Sequence, residues 1–169
     1  MKKLLLFAAV SMVVLSSCMG QGKGKEQRKS PHDTVSTANV KVTYGRPYKK
    51  GRVVFGGLEK YGQVWRTGAD EATEITFMKD GTFGGQPVKA GTYTLFTIPG
   101  ENEWTVILNS ELGQWGAYGY DKAKDKDVLK VKVPAAKTAS PTEQLTITLQ
   151  EKDMVIAWDN ASVAVPYSF

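Results

Sequence analysis

The sequence predicts an all-β domain: an antiparallel sandwich or jelly roll of about eight short strands, with a partly open barrel as the alternative. Three observations carry this. Apolar residues recur with a period of two, as they do on strands with one buried face. Glycine pairs and Asp-Gly interrupt these runs at the intervals hairpins need. No segment long enough for a stable helix carries an apolar stripe at a period of 3.6.

In chain order, Lys2 and Lys3 precede an apolar run over residues 4–15 that is too short to span a bilayer, so residues 1–17 are expected to be a signal peptide. The run ends in Leu15-Ser16-Ser17-Cys18, which resembles the lipobox of bacterial lipoproteins. That resemblance implies cleavage before Cys18 and acylation of Cys18, with each buried methylene contributing about 0.8 kcal/mol to membrane anchoring. Residue 19 is Met; the same resemblance implies that an Asp there would retain the protein at the inner membrane, so the expected location is the outer membrane, on its periplasmic face or at the cell surface. Cys18 is the only cysteine, which excludes an internal disulfide, a cysteine metal site and a cysteine nucleophile in the mature domain.

Residues 18–36 read as a lipidated, disordered tether, polar and rich in Gly and Lys. Such a coil holds its ends about 25 Å apart. The single histidine, His32, falls within it and is expected to be solvated. The chain carries a formal charge of +5, but from residue 34 onward 16 Lys and Arg face 15 Asp and Glu. The folded part therefore lacks the single-signed field of a nucleic-acid binder, and the basic tether suits anionic headgroups.

Residues 37–169 are expected to form one domain, long enough to bury roughly two-thirds of its unfolded surface. Val40, Val42 and Tyr44 alternate with Lys41 and Thr43, and Ile75 and Phe77 flank Thr76. Asp80-Gly81 and Gly84-Gly85 follow as hairpin punctuation. "AGTYTLFTIP" is apolar on both faces towards its end, as in a central strand. Trp104, Val106 and Leu108 mark the next strand, and Leu129, Val131 and Val133 the one after. Leu145-Ile147-Leu149, Met154-Ile156-Trp158 and Val163-Val165, separated by "QEKD" and "DNA", predict a C-terminal meander of three short strands. "DKAKDKD" at 121–127 is too charged for a helical stripe and reads as a self-neutralising loop rather than a calcium site.

With no histidine beyond the tether and no cysteine beyond residue 18, Ser-His-Asp and Cys-His nucleophilic machinery and His/Cys zinc sites are excluded from the domain. No phosphate-binding glycine loop is present, and no cofactor or metal is expected. Three loops stand out. "YGQVWRTGADEAT" at 61–73 sets Trp65 and Arg66 beside Asp70 and Glu71, a planar donor fork next to an aromatic, suited to a carboxylate, phosphate or sugar. Its structural alternative has Thr67 capping a helical turn with Asp70, Arg66 paired to Asp70 or Glu71, and Trp65 in the core. "YGRPYKKGR" at 44–52 offers Arg46 between Tyr44 and Tyr48, and "QWGAYGY" at 114–120 offers Trp115 between glycines.

The segments "YGRP", "VFGGL", "YGQVWRTGADEAT", "KAGTYTLFTIPG", "EWTVILN" and "WGAY" resemble, in this order, the signature of a family of exported bacterial proteins known as domain of unknown function 2911. The resemblance implies an exported β-rich domain and no established activity. The family pattern has Asn where Asp70 stands. From the residues, the leading expectation is a lipid-anchored, non-catalytic module that binds a carbohydrate or anionic envelope ligand through Arg46, Trp65, Arg66, Asp70, Glu71 and Trp115. A carboxylate-dependent glycan hydrolase using Asp70 or Glu71 with a distant acid is the rival enzyme class. A structural partner of an outer-membrane assembly is the third, and it needs a large exposed apolar patch.

Overall fold

A computed structural model describes residues 27–169; the expected signal peptide, Cys18 and residues 19–26 of the tether lie outside the described residues. Nine antiparallel strands form one continuous ladder: β1 (His32–Ser36), β2 (Val40–Gly45), β3 (Glu74–Phe77), β4 (Gly81–Phe83), β5 (Gln86–Val88), β6 (Gly91–Ile98), β7 (Glu103–Asn109), β8 (Asp127–Leu149) and β9 (Asp153–Ser168). Their order is β1-β2-β3-β6-β7-β8-β9-β4-β5, and the sheet does not close, so β1 and β5 are its edges.

Two long strands let one sheet become two layers. β8 pairs with β7 as far as Pro134 and with β9 from Ala135 onward. The register of the β8–β9 ladder shifts between Lys137 and Thr146, which bends the ribbon across the core. Tyr44 on β2 thereby meets the far half of β8, its hydroxyl accepting from the Ile147 amide at 2.9 Å. Phe77 on β3 packs against Phe83 on β4, with ring centroids 5.4 Å apart. The core between the layers draws on β2 to β9 and is centred on Phe55, Trp65, Trp104 and Trp158.

The alternation read from the sequence places its inward residues correctly: Val40, Val42, Ile75, Phe77, Trp104, Val106 and Leu108 are all buried. Gly84 and Gly85 have φ of 60° and 77°, the left-handed pair that a two-residue β4–β5 hairpin requires. The C-terminal meander is corrected. Residues 129–133 and 145–149 belong to one strand, and the "DNA" between Trp158 and Val163 does not turn the chain, because Asp159 at φ 50° kinks β9 without ending it. The charged 121–127 segment holds one helical turn, α1 (Tyr120–Ala123), and a 3₁₀ turn at Lys124–Lys126.

The tether is corrected at its C-terminal end, since β1 occupies His32–Ser36, before the domain start expected at residue 37. β1 pairs with β2 along its whole length, from His32 opposite Gly45 to Ser36 opposite Lys41. A polar segment can hold an edge position because its outer face needs no burial, and a period-two apolar signal is therefore absent there. His32 is mostly buried, its Nε2 3.4 Å from Glu71 Oε2, rather than solvated.

Candidate functional site

The loop over residues 65–73 is built from its own backbone. Trp65 bridges to Thr97 on β6 through N–H···O bonds of 2.7 and 2.9 Å in the two directions. The loop is closed by the Thr73 amide donating to Arg66 O at 3.1 Å and the Thr73 hydroxyl to Thr67 O at 2.9 Å. Between these ties Thr67 and Asp70 adopt φ of 56° and 63°. A β-branched residue in the left-handed region is a true outlier, held here by burial and by the Thr67–Thr97 hydroxyl contact at 3.1 Å. No helical turn follows Thr67, so the capping role expected for it is replaced by this contact. Neighbouring backbone lies so close that a Cβ on Gly45 would sit 2.2 Å from Ala69 O, which explains the glycine there.

Trp65 is 3% exposed. It stacks on Trp158 at 5.9 Å and meets Trp104 edge-on at 6.1 Å, so it is a core residue and not part of a ligand surface. Its indole N–H and the Nε–H of Arg66 both donate to Gly68 O, at 3.1 and 3.2 Å. That shared acceptor orients Arg66. Its guanidinium makes no ion pair among the described residues, and its terminal nitrogens have no hydrogen-bond partner there; Nη1 lies against Gly116, where a Cβ would come within 2.9 Å.

The two acids of the loop are taken by the N-terminal segment instead. Asp70 Oδ2 accepts from the amides of Lys29 and Ser30 at 3.1 and 2.9 Å. Glu71 receives both of its oxygens' contacts from Arg28 Nε, at 2.8 and 2.9 Å. Burial alone would raise the Glu71 carboxyl, but its own amide, the Arg28 hydrogen bond and charge, and His32 outweigh it and hold the carboxyl below its ordinary range. Arg46 donates to Leu145 O, Asp33 Oδ2 and Thr146 Oγ1 at 3.1, 3.0 and 3.1 Å, which occupies all its nitrogens in tying β1 to β8.

Trp115 is brought in by pairing between loops. The Ala72 amide donates to Gln114 O at 2.9 Å and the Gly116 amide to Asp70 O at 3.0 Å, making a bridge between Glu71 and Trp115. The result is a cavity of about 400 Å³ lined by Gln27, Lys29, Arg66, Asp70, Trp115 and Tyr118. This is within the range of small-molecule sites, about 300–1,000 Å³. A second cavity of about 220 Å³ shares Lys29, Arg66 and Asp70 with it and adds Arg52, Leu58 and Glu59. Burial raises the Glu59 carboxyl, against the pull of Arg66 and Arg52. Glu71 faces a separate cavity of about 230 Å³ beside Arg28 and His32. Of the six residues expected at the site, Arg66, Asp70 and Trp115 converge on one cavity, whereas Trp65, Arg46 and Glu71 do not line it. Lys29 and Glu59 were not legible: one sits in a polar run, the other in a glycine loop without a motif.

An open antiparallel β domain with a cationic and aromatic cavity between its loops is thus the class that fold and site define. The family model described as "Protein of unknown function (DUF2911)" matches residues 26–167, and the chain belongs to that family. No curated protein and no solved structure matches the chain.

Proposed function

We propose that this chain is a lipid-anchored cell-envelope domain that binds a carbohydrate or anionic envelope ligand in the Arg66–Trp115 cavity, without chemistry of its own. The observation that carries the reading is the state of Arg66. Arg66 Nε donates to Gly68 O, a carbonyl that the core indole of Trp65 also holds, and this orients the guanidinium, while its outer nitrogens face a cavity with no protein acceptor bound to them among the described residues. An arginine oriented in this way, with no acceptor on its outer nitrogens among the described residues, is pre-organised for an acceptor from outside. The test is thermal shift against a panel of glycans and small anions. A panel member should raise the melting temperature of the wild type and leave the Arg66→Ala, Trp115→Ala double variant unmoved; an equal shift in both would refute the site.

The hydrolase reading keeps one supporting observation. Glu59, with its carboxyl raised, and Asp70 line the same smaller cavity, a pairing of the kind that divides acid and base roles. Its partner acid is then Glu59 rather than Glu71, which Arg28 occupies. Glycan turnover by the wild type that Glu59→Gln abolishes would establish it; no turnover across a reducing-sugar assay of the same panel would end it.

A further inference from the structure

We infer that the ligand of the Arg66 cavity is an acidic saccharide: a sugar ring bearing one carboxylate, rather than a neutral glycan or a free anion. This rests on the binding reading above and specifies its ligand class. Three kinds of chemistry meet in one cavity, and each class of ligand with only part of them leaves something unmatched.

The first is charge. Lys29 and Arg66 face the cavity with one carboxylate, Asp70, and among the described residues neither cation has an ion-pair partner. Two cations against one anion complement a single added negative charge. A phosphate monoester brings about −1.5 to −2 at neutral pH and would meet Asp70 with an excess. The planar fork of Arg66 matches a carboxylate in two parallel hydrogen bonds. A neutral sugar offers hydroxyl acceptors to Arg66 and Lys29 but no charge, so its hydrogen bonds there are the weaker, neutral-acceptor kind and the second cation stays uncompensated.

The second is an aromatic ledge. Trp115 is half-buried and pinned by the flanking backbone bonds at Gln114 and Gly116, and Tyr118, three residues on, is 86% exposed. Flat rings on a cavity wall suit the C–H face of a pyranose. Inorganic phosphate or acetate would leave them wet. The third is an acceptor: Asp70 holds the Lys29 and Ser30 amides through Oδ2 alone, and Oδ1 has no hydrogen-bond partner among the described residues. A ring hydroxyl provides the donor that a bare anion lacks.

The experiment is isothermal titration of the full mature chain with matched methyl glycosides of gluco, galacto and manno configuration. Each is supplied as the neutral sugar and as its 6-carboxylate, with sodium acetate and inorganic phosphate alongside. One carboxylate sugar should bind at least tenfold more tightly than its neutral twin and than either free anion. Lys29→Gln, at an exposed position whose side chain holds nothing in the fold, should lower that ratio, and Arg66→Ala should bring it close to one. Arg66→Lys should weaken the same ligand, and Trp115→Ala should weaken both twins. Equal binding of the twins, or of acetate or phosphate, would overturn the acidic-saccharide inference while the binding reading stands. No binding by any member, with no thermal shift in the wider panel, would overturn both.

Discussion

Replacing Asp70 by Gly tests whether one carboxylate latches the N-terminal segment over the site. Asp70 is buried, lies at φ 63°, and takes the Lys29 and Ser30 amides on a single oxygen. Glycine removes the acceptor while relieving the backbone, because a left-handed residue with a Cβ costs roughly 1–2 kcal/mol that glycine does not. Hydrogen bonds to a charged group contribute about 1.5–3 kcal/mol, and two sharing one oxygen are not independent, so about 2 kcal/mol of local stability should go. That is about a 30-fold rise in the opening equilibrium of residues 27–31, at about 1.4 kcal/mol per tenfold. Global stability should change by less than about 1 kcal/mol, since the two effects oppose. Hydrogen exchange of the Lys29 and Ser30 amides reads the local term, and urea unfolding reads the global one. Asp70→Asn keeps an oxygen acceptor and suits the left-handed region, so its exchange should stay near that of the wild type. The reasoning is refuted if Ser30 exchanges as slowly in Asp70→Gly as in the wild type, or if Asn and Gly lose protection equally.

Three further outcomes are expected. Trp65→Ala should destabilise the fold by about 3–5 kcal/mol in urea unfolding, because the ring is enclosed by Phe55, Trp104 and Trp158; a near-neutral effect would return Trp65 to the surface. Gly116→Ala, at φ 68° with a Cβ 2.8 Å from Tyr118 Cε2 and 2.9 Å from Arg66 Nη1, should cost about 1 kcal/mol of stability and weaken ligand binding by shifting Tyr118 and Arg66, as read by melting and by titration together. The lowered Glu71 carboxyl gives a pH signature. A group depressed in the folded state contributes stability that is present above its unfolded value and is lost as pH falls through its folded value. The stability gap between the wild type and Glu71→Gln should therefore be full near pH 6 and close towards pH 3, which urea midpoints across that range measure; a gap that widens on acidification would contradict the Arg28 pairing.

The strands were legible because alternation survives wherever one face is buried, as at Val40-Val42-Tyr44 and Trp104-Val106-Leu108. Strand continuity was not. Asp159 reads as a turn residue, yet its carboxylate is buried, receiving the Val54 amide at 3.1 Å and paired with Lys49, so tertiary contacts carry the strand through. The edge strand at His32–Ser36 was hidden by its polarity. At the site, glycine-rich loops pointed to Arg66, Asp70 and Trp115, and these do converge. What the sequence left open was the partner of each charge. Arg66, Arg46 and Arg28 are equivalent as letters, and only the placement of the N-terminal segment and β1 decides that Arg28 takes Glu71 and Arg46 takes Asp33, while Arg66 has no ion-pair partner among the described residues.

Arg66, without an ion-pair partner among the described residues, lines one cavity with Trp115, and one titration addresses both side chains. In a ¹⁵N-labelled sample the four tryptophan indoles and the Arg66 Nε–H are followed while the panel member that most raises the melting temperature is added. The predicted result is movement of the Trp115 indole and the Arg66 Nε–H together, with the core indoles of Trp65, Trp104 and Trp158 unchanged. Saturable binding that leaves Trp115 and Arg66 in place would contradict it.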